Sequence, residues 1–278
     1  MGETAEVPDD ASLPTAGGTA GGTAPDGGSH GPVEPPFSLT ARSFNTWLEG
    51  FEWSYDTVRY GPGAPTEADL KLLGNVATKR VLELGCGAGA AAIALAKQGA
   101  RVVAVDESAA QIGHARWAAD RHGARLELRH GDLADLAFLR ADTIDAAVSV
   151  YTLGTVDDLD RVFRQVHRVL RPEAPLAISL PHPAFRMVDP AGDPPSVRRA
   201  YFDRNPLAWP RAPGVAEEGV DYTRTVADIF TSLTRANFRV DMVLEPGPRA
   251  DARHDPRWAP AMAWVPSTLI VRARKQGI

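Results

Sequence analysis

Residues 81–90 read VLELGCGAGA, an apolar run that breaks into glycines. Gly85, Gly87 and Ala90 satisfy the G-x-G-x-x-A spacing of a dinucleotide-binding turn. Glycines at such a turn let the backbone approach a ligand with no Cβ in the way. The sign of the neighbouring charge separates two kinds of ligand. A dinucleotide sets a pyrophosphate against the loop and the helix N-terminus that follows. Glu83 lies two residues before Gly85, on the same face by strand alternation. Its carboxylate opposes a pyrophosphate by roughly 4 kcal/mol per charge pair at about 4 Å and an effective dielectric near 20. A nucleoside cofactor with an ammonium and a sulfonium, as in S-adenosylmethionine, suits Glu83 instead. Asp106, about 20 residues beyond the glycines, fits the ribose of either ligand and does not discriminate.

Other residues have the right chemistry for proton transfer. His182, in LPHPAF, falls just past the carboxyl end of a predicted strand, and an imidazole there suits a general base. Its structural alternative is a ring held between Pro181 and Pro183 to shape the loop. Tyr151 and Tyr60 are weaker candidates. Cys86 has no His or Lys beside it in sequence to lower its pKa, so it reads as packing rather than as a nucleophile. Asp145 starts a strand, away from the ligand edge, and reads as structural. His114, His122 and His167 fall on helices, as surface or packing residues, and His130 precedes a turn.

The elements that must position these groups alternate. RVLEL predicts a strand from Arg80, and AAAIALAKQ a helix of good formers stopped at Gly99. RVVAV is the next strand, ending at Asp106. Ser108-x-x-Gln111 predicts a capping box for a helix running toward Gly123. Strand RLELR, the turn His130-Gly131-Asp132 and a short helix near LADLAFL follow. IDAAVSV and PLAISL are strands four and five, joined by the helix VDDLDRVFRQVHRVL, which Pro172 stops. After the helix TVADIFTSLTRA, FRVDMVLE and STLIVRARK read as strands with no helix between them, hence antiparallel. The expectation is a Rossmann-like α/β fold: a seven-stranded sheet of five parallel strands plus a C-terminal antiparallel pair, with helices on both faces. Ligand belongs beyond the carboxyl ends of the strands, where the strand order reverses.

Residues 1–36 are rich in Gly, Pro, Thr and Asp, offer little apolar surface, and are expected to be a disordered tail. The tail shows no secretory signal, and Glu6 stands where myristoylation wants Ser or Thr. Residues 37–278 are expected to form one domain, with a helical lid over 37–79 and a substrate-side insertion over 181–222. Phe44, Trp47, Leu48 and Phe51 share one helical face in the lid, either as a docking stripe or as a cover for the cofactor. The insertion mixes aromatics with arginines, among them Tyr201, Trp209, Arg186 and Arg211; these are solvated arginines or a cationic rim for a flat, weakly acidic substrate. The net charge of −5 comes largely from six tail acids, so the rest is near neutral and no nucleic-acid binder. No apolar run approaches the roughly 20 residues of a membrane span. The single cysteine suits a reducing, cytoplasmic compartment.

VLELGCGAGA, VVAVDESAAQI, HGDLADL, IDAAVSVYTLGTV and VFRQVHRVLRPEAPLAISL, in that order and spacing, resemble the motifs of class I S-adenosylmethionine-dependent methyltransferases, with a ubiquinone/menaquinone-biosynthesis-like flavour. LTRANFRVDMVLEP and WVPSTLIVRARK look like the family's closing elements, so the resemblance covers about residues 40–275. It implies that Gly85, Cys86 and Gly87 present backbone to the methionine part and that Glu83 orients its ammonium. Asp106 would accept from both ribose hydroxyls, and Asp132 from the adenine amino group with Leu133 beside the ring. Val150 and Tyr151 would face the transferable methyl, and Tyr55 would match an aromatic of the lid. Glu107 departs from the apolar residue usual after Asp106, and RPEAPL lacks the usual Gly-Gly. The implied activity is in-line methyl transfer to a small-molecule acceptor by a monomer or homodimer, with no metal. The alternatives are an NAD(P)-dependent oxidoreductase, for which no Tyr-x-x-x-Lys pair is found, and a non-catalytic cofactor-binding protein of the same fold.

Overall fold

The computed structural model describes residues 54–210, 218–255 and 257–277. The expected tail and the stripe of Phe44, Trp47, Leu48 and Phe51 lie outside them, as does Arg211. After the one-turn helix α1 (Glu67–Leu70), strands and helices alternate: β1 (Arg80–Leu84), α2 (Ala90–Lys97), β2 (Arg101–Asp106), α3 (Ala109–Arg121), β3 (Leu126–His130), β4 (Ala146–Val150), α4 (Leu159–Val169) and β5 (Pro175–Pro181). The short strands β6 (Leu207–Pro210) and β7 (Glu218–Asp221) come next, then α5 (Val226–Arg235), β8 (Phe238–Leu244) and β9 (Thr268–Lys275).

The main sheet has seven strands in the order β3-β2-β1-β4-β5-β9-β8. Strands β1 to β5 are parallel, and β9 runs antiparallel to both β5 and β8. The expected antiparallel pair is therefore present, with β9 alone running against the rest. Order reverses between β1 and β4, which makes their carboxyl ends the switch point.

Alternation along the strands sorts the core. Leu82, Leu84, Ile178 and Leu180 face α4 and α5 through Phe163, Val166 and Leu233. Val81, Val148, Val150 and Ala177 face the other way, against Leu95 of α2, Ile112 of α3 and the buried Tyr60, Leu72 and Val76. Glu83 shares the parity of Val81, so this second face carries the one buried acid of β1.

Local chemistry ends the helices where the sequence expects. Ser108 Oγ accepts from the Gln111 N–H at 3.4 Å, which is one half of the expected box. A complete reciprocal box forms at Thr225 and Asp228, a signal passed over in the sequence. Asn237, at φ 62°, takes the left-handed position after α5. Two expectations are corrected. Residues 133–139 form turns rather than a short helix, because Asp132 and Asp135 accept from the N–H groups of Ala134 and Ala137 at 2.7 and 3.1 Å. Such local bonds compete with the helical ladder. The 181–222 segment is not wholly irregular: β6 and β7 pair antiparallel within it, separate from the main sheet.

Candidate functional site

The loop between β1 and α2 is built from left-handed glycines, Gly85 at φ 71°, Gly87 at 52° and Gly89 at 84°. Gly85 and Cys86 both donate their N–H groups to Val105 O, at 2.8 and 3.1 Å. Across the switch point, Thr152 Oγ1 donates to Gly85 O at 3.0 Å. Tyr151 makes that contact possible: its own left-handed backbone, φ 54°, turns the chain back over the loop. Such a conformation in a non-glycine residue costs about 1–3 kcal/mol and persists only where surroundings fix it. Here the Tyr151 N–H donates to Ser179 O at 2.8 Å, and its hydroxyl bonds Thr268 Oγ1 at 2.6 Å.

Glu83 sits beneath this loop with no exposed surface, and neither carboxylate oxygen has a hydrogen-bond partner. Burial, reinforced by the negative charge of Asp106, pushes its pKa up to about 8; the nearby Ala92 backbone N–H, short of hydrogen-bond geometry, offsets only part of this. Asp106, half-buried at the end of β2, accepts from Gly87 N–H at 2.8 Å and Ser108 N–H at 2.9 Å. It thereby ties the glycine loop to the second strand. The structure thus brings Glu83, Gly85, Cys86, Gly87, Asp106 and the buried Val150 to one end of the sheet. Asp132 stands exposed just beyond β3, with Leu133 buried beside it. Cys86 is buried, its Sγ 3.7 Å from Gly87 O, and burial pushes the thiol well up, which fits packing and not nucleophilic attack.

Three expected site residues are placed otherwise. Tyr55 stacks on His122 with ring centroids 4.0 Å apart, against Ile93, Ala118 and Ala119. His122 ends α3, and Lys97, 6.0 Å from the Tyr55 ring, ends α2. The glycine loop feeds the opposite end of α2, about 12 Å away along the helix. Tyr55 is therefore a packing residue at the far edge, because its ring finds apolar helix surface there. His182 is nearly buried. Its Nδ1 accepts from the Ala184 N–H at 3.0 Å, which leaves the proton of the neutral ring on Nε2, 2.8 Å from Glu245 Oε1. No lone pair remains to take a proton from a substrate, so the loop-shaping alternative describes it. Tyr151 has no exposed surface, and burial pushes its hydroxyl well above the usual tyrosine value. It is a structural pin, not a base. Tyr60 is equally buried and donates to Glu67 at 2.7 Å.

A stability measurement separates these roles. Tyr151→Phe should lower stability by about 1–2 kcal/mol, because it leaves Thr268 without its short bond. Ligand affinity at the glycine loop should stay within twofold. Urea unfolding followed with and without ligand checks both; a large loss of affinity would return Tyr151 to the binding machinery.

Of the residues assigned a structural role, Asp145 accepts from Arg80 N–H at 2.8 Å and pairs with Arg171. His130 contacts Glu107 O at 3.0 Å. Thr152 and the buried Asp221, which pairs with the part-buried Arg186 at 2.8 Å, were not anticipated. Thr152 carries no signal beyond its place two residues past β4, and Asp221 carries none. Among the described residues no helix is long and apolar enough to cross a membrane, and no group of three or more His, Cys, Asp or Glu could hold a metal ion.

Residues 81–173 match the family model described as a methyltransferase domain. Two curated relatives are similar in sequence over part of the chain. One is a ubiquinone biosynthesis O-methyltransferase of Hahella chejuensis, 33% identical over 101 residues, covering 36% of this chain and 42% of the relative. The other is a demethylmenaquinone methyltransferase of Clavibacter sepedonicus, 34% identical over 113 residues, covering 40% and 44%. The chain thus spans less than half the length of these relatives. A solved S-adenosylmethionine-dependent methyltransferase from Mesorhizobium loti superposes with a TM-score of 0.61 at 28% identity, over 74% of this chain and 95% of that one.

Proposed function

We propose that this chain, a member of the class I S-adenosylmethionine-dependent methyltransferases, binds that cofactor at the glycine loop and transfers its methyl group to a small-molecule acceptor. The observation that carries the reading is Glu83: a carboxylate with no exposed surface and no partner, under a loop that leaves room for backbone approach. A cation is the ligand it lacks. An ammonium completes it, whereas a pyrophosphate at the same loop adds repulsion.

The chain's own residues divide the work as follows. Glu83 holds the ammonium and the glycine backbone lies along the methionine part. Asp106 receives the ribose hydroxyls, Asp132 the adenine amino group, and Leu133 backs the ring. Val150 borders the methyl end. When bound, the cofactor supplies an activated methyl on a sulfonium. The protein then has only to align donor and acceptor, an effect worth up to roughly 7–11 kcal/mol in the best cases. Residues 37–79 and 181–222 serve in this reading as cover and acceptor-side wall of one domain, which acts in the cytoplasm as a monomer or homodimer.

S-adenosylhomocysteine at about 100 times its dissociation constant should stabilise the wild-type protein by roughly 2.7 kcal/mol. Asp106→Ala should lose that gain, because the loop loses its tie to β2 along with the ribose acceptor. NADH and NADPH should give none. Thermal unfolding with each ligand in parallel checks the reading, and a shift with the nicotinamides alone would overturn it.

A further inference from the structure

The main sheet ends in β3 on one side and β8 on the other, and the two edges differ. A bare edge strand is a row of unpaired N–H and C=O groups, ready to pair with another chain. Strand β8 is blunted: its register with β9 shifts between Val240 and Met242, the mark of a bulge. Strand β3 has neither bulge nor proline, and its five residues keep an unbroken register with β2. The Gly131 N–H donates to Asp106 O at 3.0 Å, on the β2 side. Backbone groups alternate sides along a strand, so Glu127 and Arg129 also face β2, while Leu126, Leu128 and His130 turn their N–H and C=O groups outward. Among the described residues no backbone group meets those outward groups.

The side chains select what can pair there. Glu127 and Arg129 are exposed on one face, where Arg129 Nη2 donates to Glu127 Oε1 at 2.8 Å. On the other face Leu126 and Leu128 are only partly buried, against the core that holds Val102 and Ala104. Arg125, just before the strand, and Asp132, just after it, are exposed, and neither forms an ion pair among the described residues. This order of charges is self-complementary. Laid antiparallel on a copy of itself about Leu128, the strand sets Glu127 opposite Arg129 of the second copy, and Arg129 opposite its Glu127. Leu128 meets Leu128, and Arg125 meets Gly131, beside Asp132 of the second copy. Every outward residue is used, Leu128 with Leu128 and Leu126 with His130, and each such pair exchanges two N–H···O bonds. A slide of two residues either way leaves Leu126 or His130 unmet.

We propose that β3 is a homodimer face: it joins β3 of a second copy across a twofold axis at Leu128, and the two seven-stranded sheets continue as one. The backbone supplies the attraction and the charges fix the register, since opposite charges facing across strands stabilise a pairing and like charges oppose it. Arg129 exchanges its own Glu127 for that of the second copy, so no charge is left unpaired by the association. The same patch serves both copies, so the contact closes at two. The proposal stands whether or not the glycine loop binds S-adenosylmethionine.

Sedimentation velocity on the full chain over a range of concentrations tests this. The wild type should reach a dimer and go no further. Glu127→Arg and Arg129→Glu should each weaken dimerisation by at least about tenfold, since each sets like charges opposite in both cross-strand pairs. Mixed in equal amounts, the two variants should dimerise with each other, because one then carries two basic residues and the other two acidic ones. The double variant Glu127→Arg, Arg129→Glu should dimerise alone, as the wild type does. Thermal unfolding of each variant shows that the fold is intact, and amide exchange on the wild type needs no variant. The amides of Leu126, Leu128 and His130 should slow as the dimer forms, while those of Glu127 and Arg129 stay slow throughout. A wild type that is monomeric at every concentration, a dimer that both single variants keep, or single variants that stay monomeric when mixed would overturn the proposal. Growth beyond two copies would overturn it as well.

Discussion

Binding of S-adenosylhomocysteine should tighten about tenfold per pH unit from about pH 6 toward the Glu83 value of about 8, and should lose that dependence in Glu83→Gln. In the free protein the carboxyl is protonated below that value, because burial without a partner disfavours its charge. Pairing with an ammonium requires the charged form, so binding releases about one proton at neutral pH. Calorimetry in two buffers of different ionisation enthalpy measures that proton directly. Uptake of protons, or none, would sink the ion-pair role.

The same group governs the stability of the free protein, with the opposite sign to most acids. A carboxyl raised from 4.5 to about 8 binds more protons in the folded state than in the unfolded one between those values. Stability therefore falls as pH rises from the unfolded value and is lost fully only above the folded one. The loss is on the order of 5 kcal/mol, at roughly 1.36 kcal/mol per pH unit. Glu83→Gln should match the wild type near pH 5 and exceed its unfolding temperature by several degrees at pH 9. Adding S-adenosylhomocysteine should narrow the gap by stabilising the wild type more than the variant. The residue that makes the free protein less stable at neutral pH is thus the one that makes it receptive to a cation.

What could be read in the chain follows from where the determining contacts lie. Strands β1, β2, β4 and β5 were legible because each is a short apolar run bounded by turn residues, while the exposed edge strand β3 follows from its alternation and its place after α3. The acid at position 83 was legible because strand alternation is local. Residues 133–139 look helical by composition, but the two aspartates capture their own backbone N–H groups. The β6–β7 hairpin was not legible, since its pairing joins residues across a segment with no periodicity. His182 has the right chemistry for a base by type. What disqualifies it is Glu245, 63 residues away, together with the backbone of Ala184. Tyr55 shows the same limit: its ring goes to the nearest apolar helix surface, which lies at the wrong end of α2. Types and spacings name candidates, and long-range contacts decide which lone pairs remain free.

Gly85→Ala should abolish ligand binding and destabilise the fold by several kcal/mol, and the way it can be rescued is specific. A Cβ at position 85 would fall 2.0 Å from Thr152 Cγ2, 2.2 Å from Oγ1 and 2.4 Å from Cβ. All three are far inside van der Waals contact, and the backbone at φ 71° adds the left-handed cost, about 1–2 kcal/mol. Relief by movement is blocked, because Gly85 N–H is fixed to Val105 O and Gly85 O to Thr152 Oγ1. Thr152→Ala removes two of the clashing atoms but keeps its Cβ, so it should not rescue Gly85→Ala. Thr152→Gly removes all three and should recover most of the stability, short of the backbone cost. Urea unfolding of the three single variants and the two double variants, with S-adenosylhomocysteine added to each, reads the coupling. Equal rescue by alanine and glycine at position 152 would mean the loop yields rather than the side chain. The glycine would then serve the ligand alone. Rescue by glycine only would show that Thr152, from across the switch point, fixes the height of the loop over Glu83.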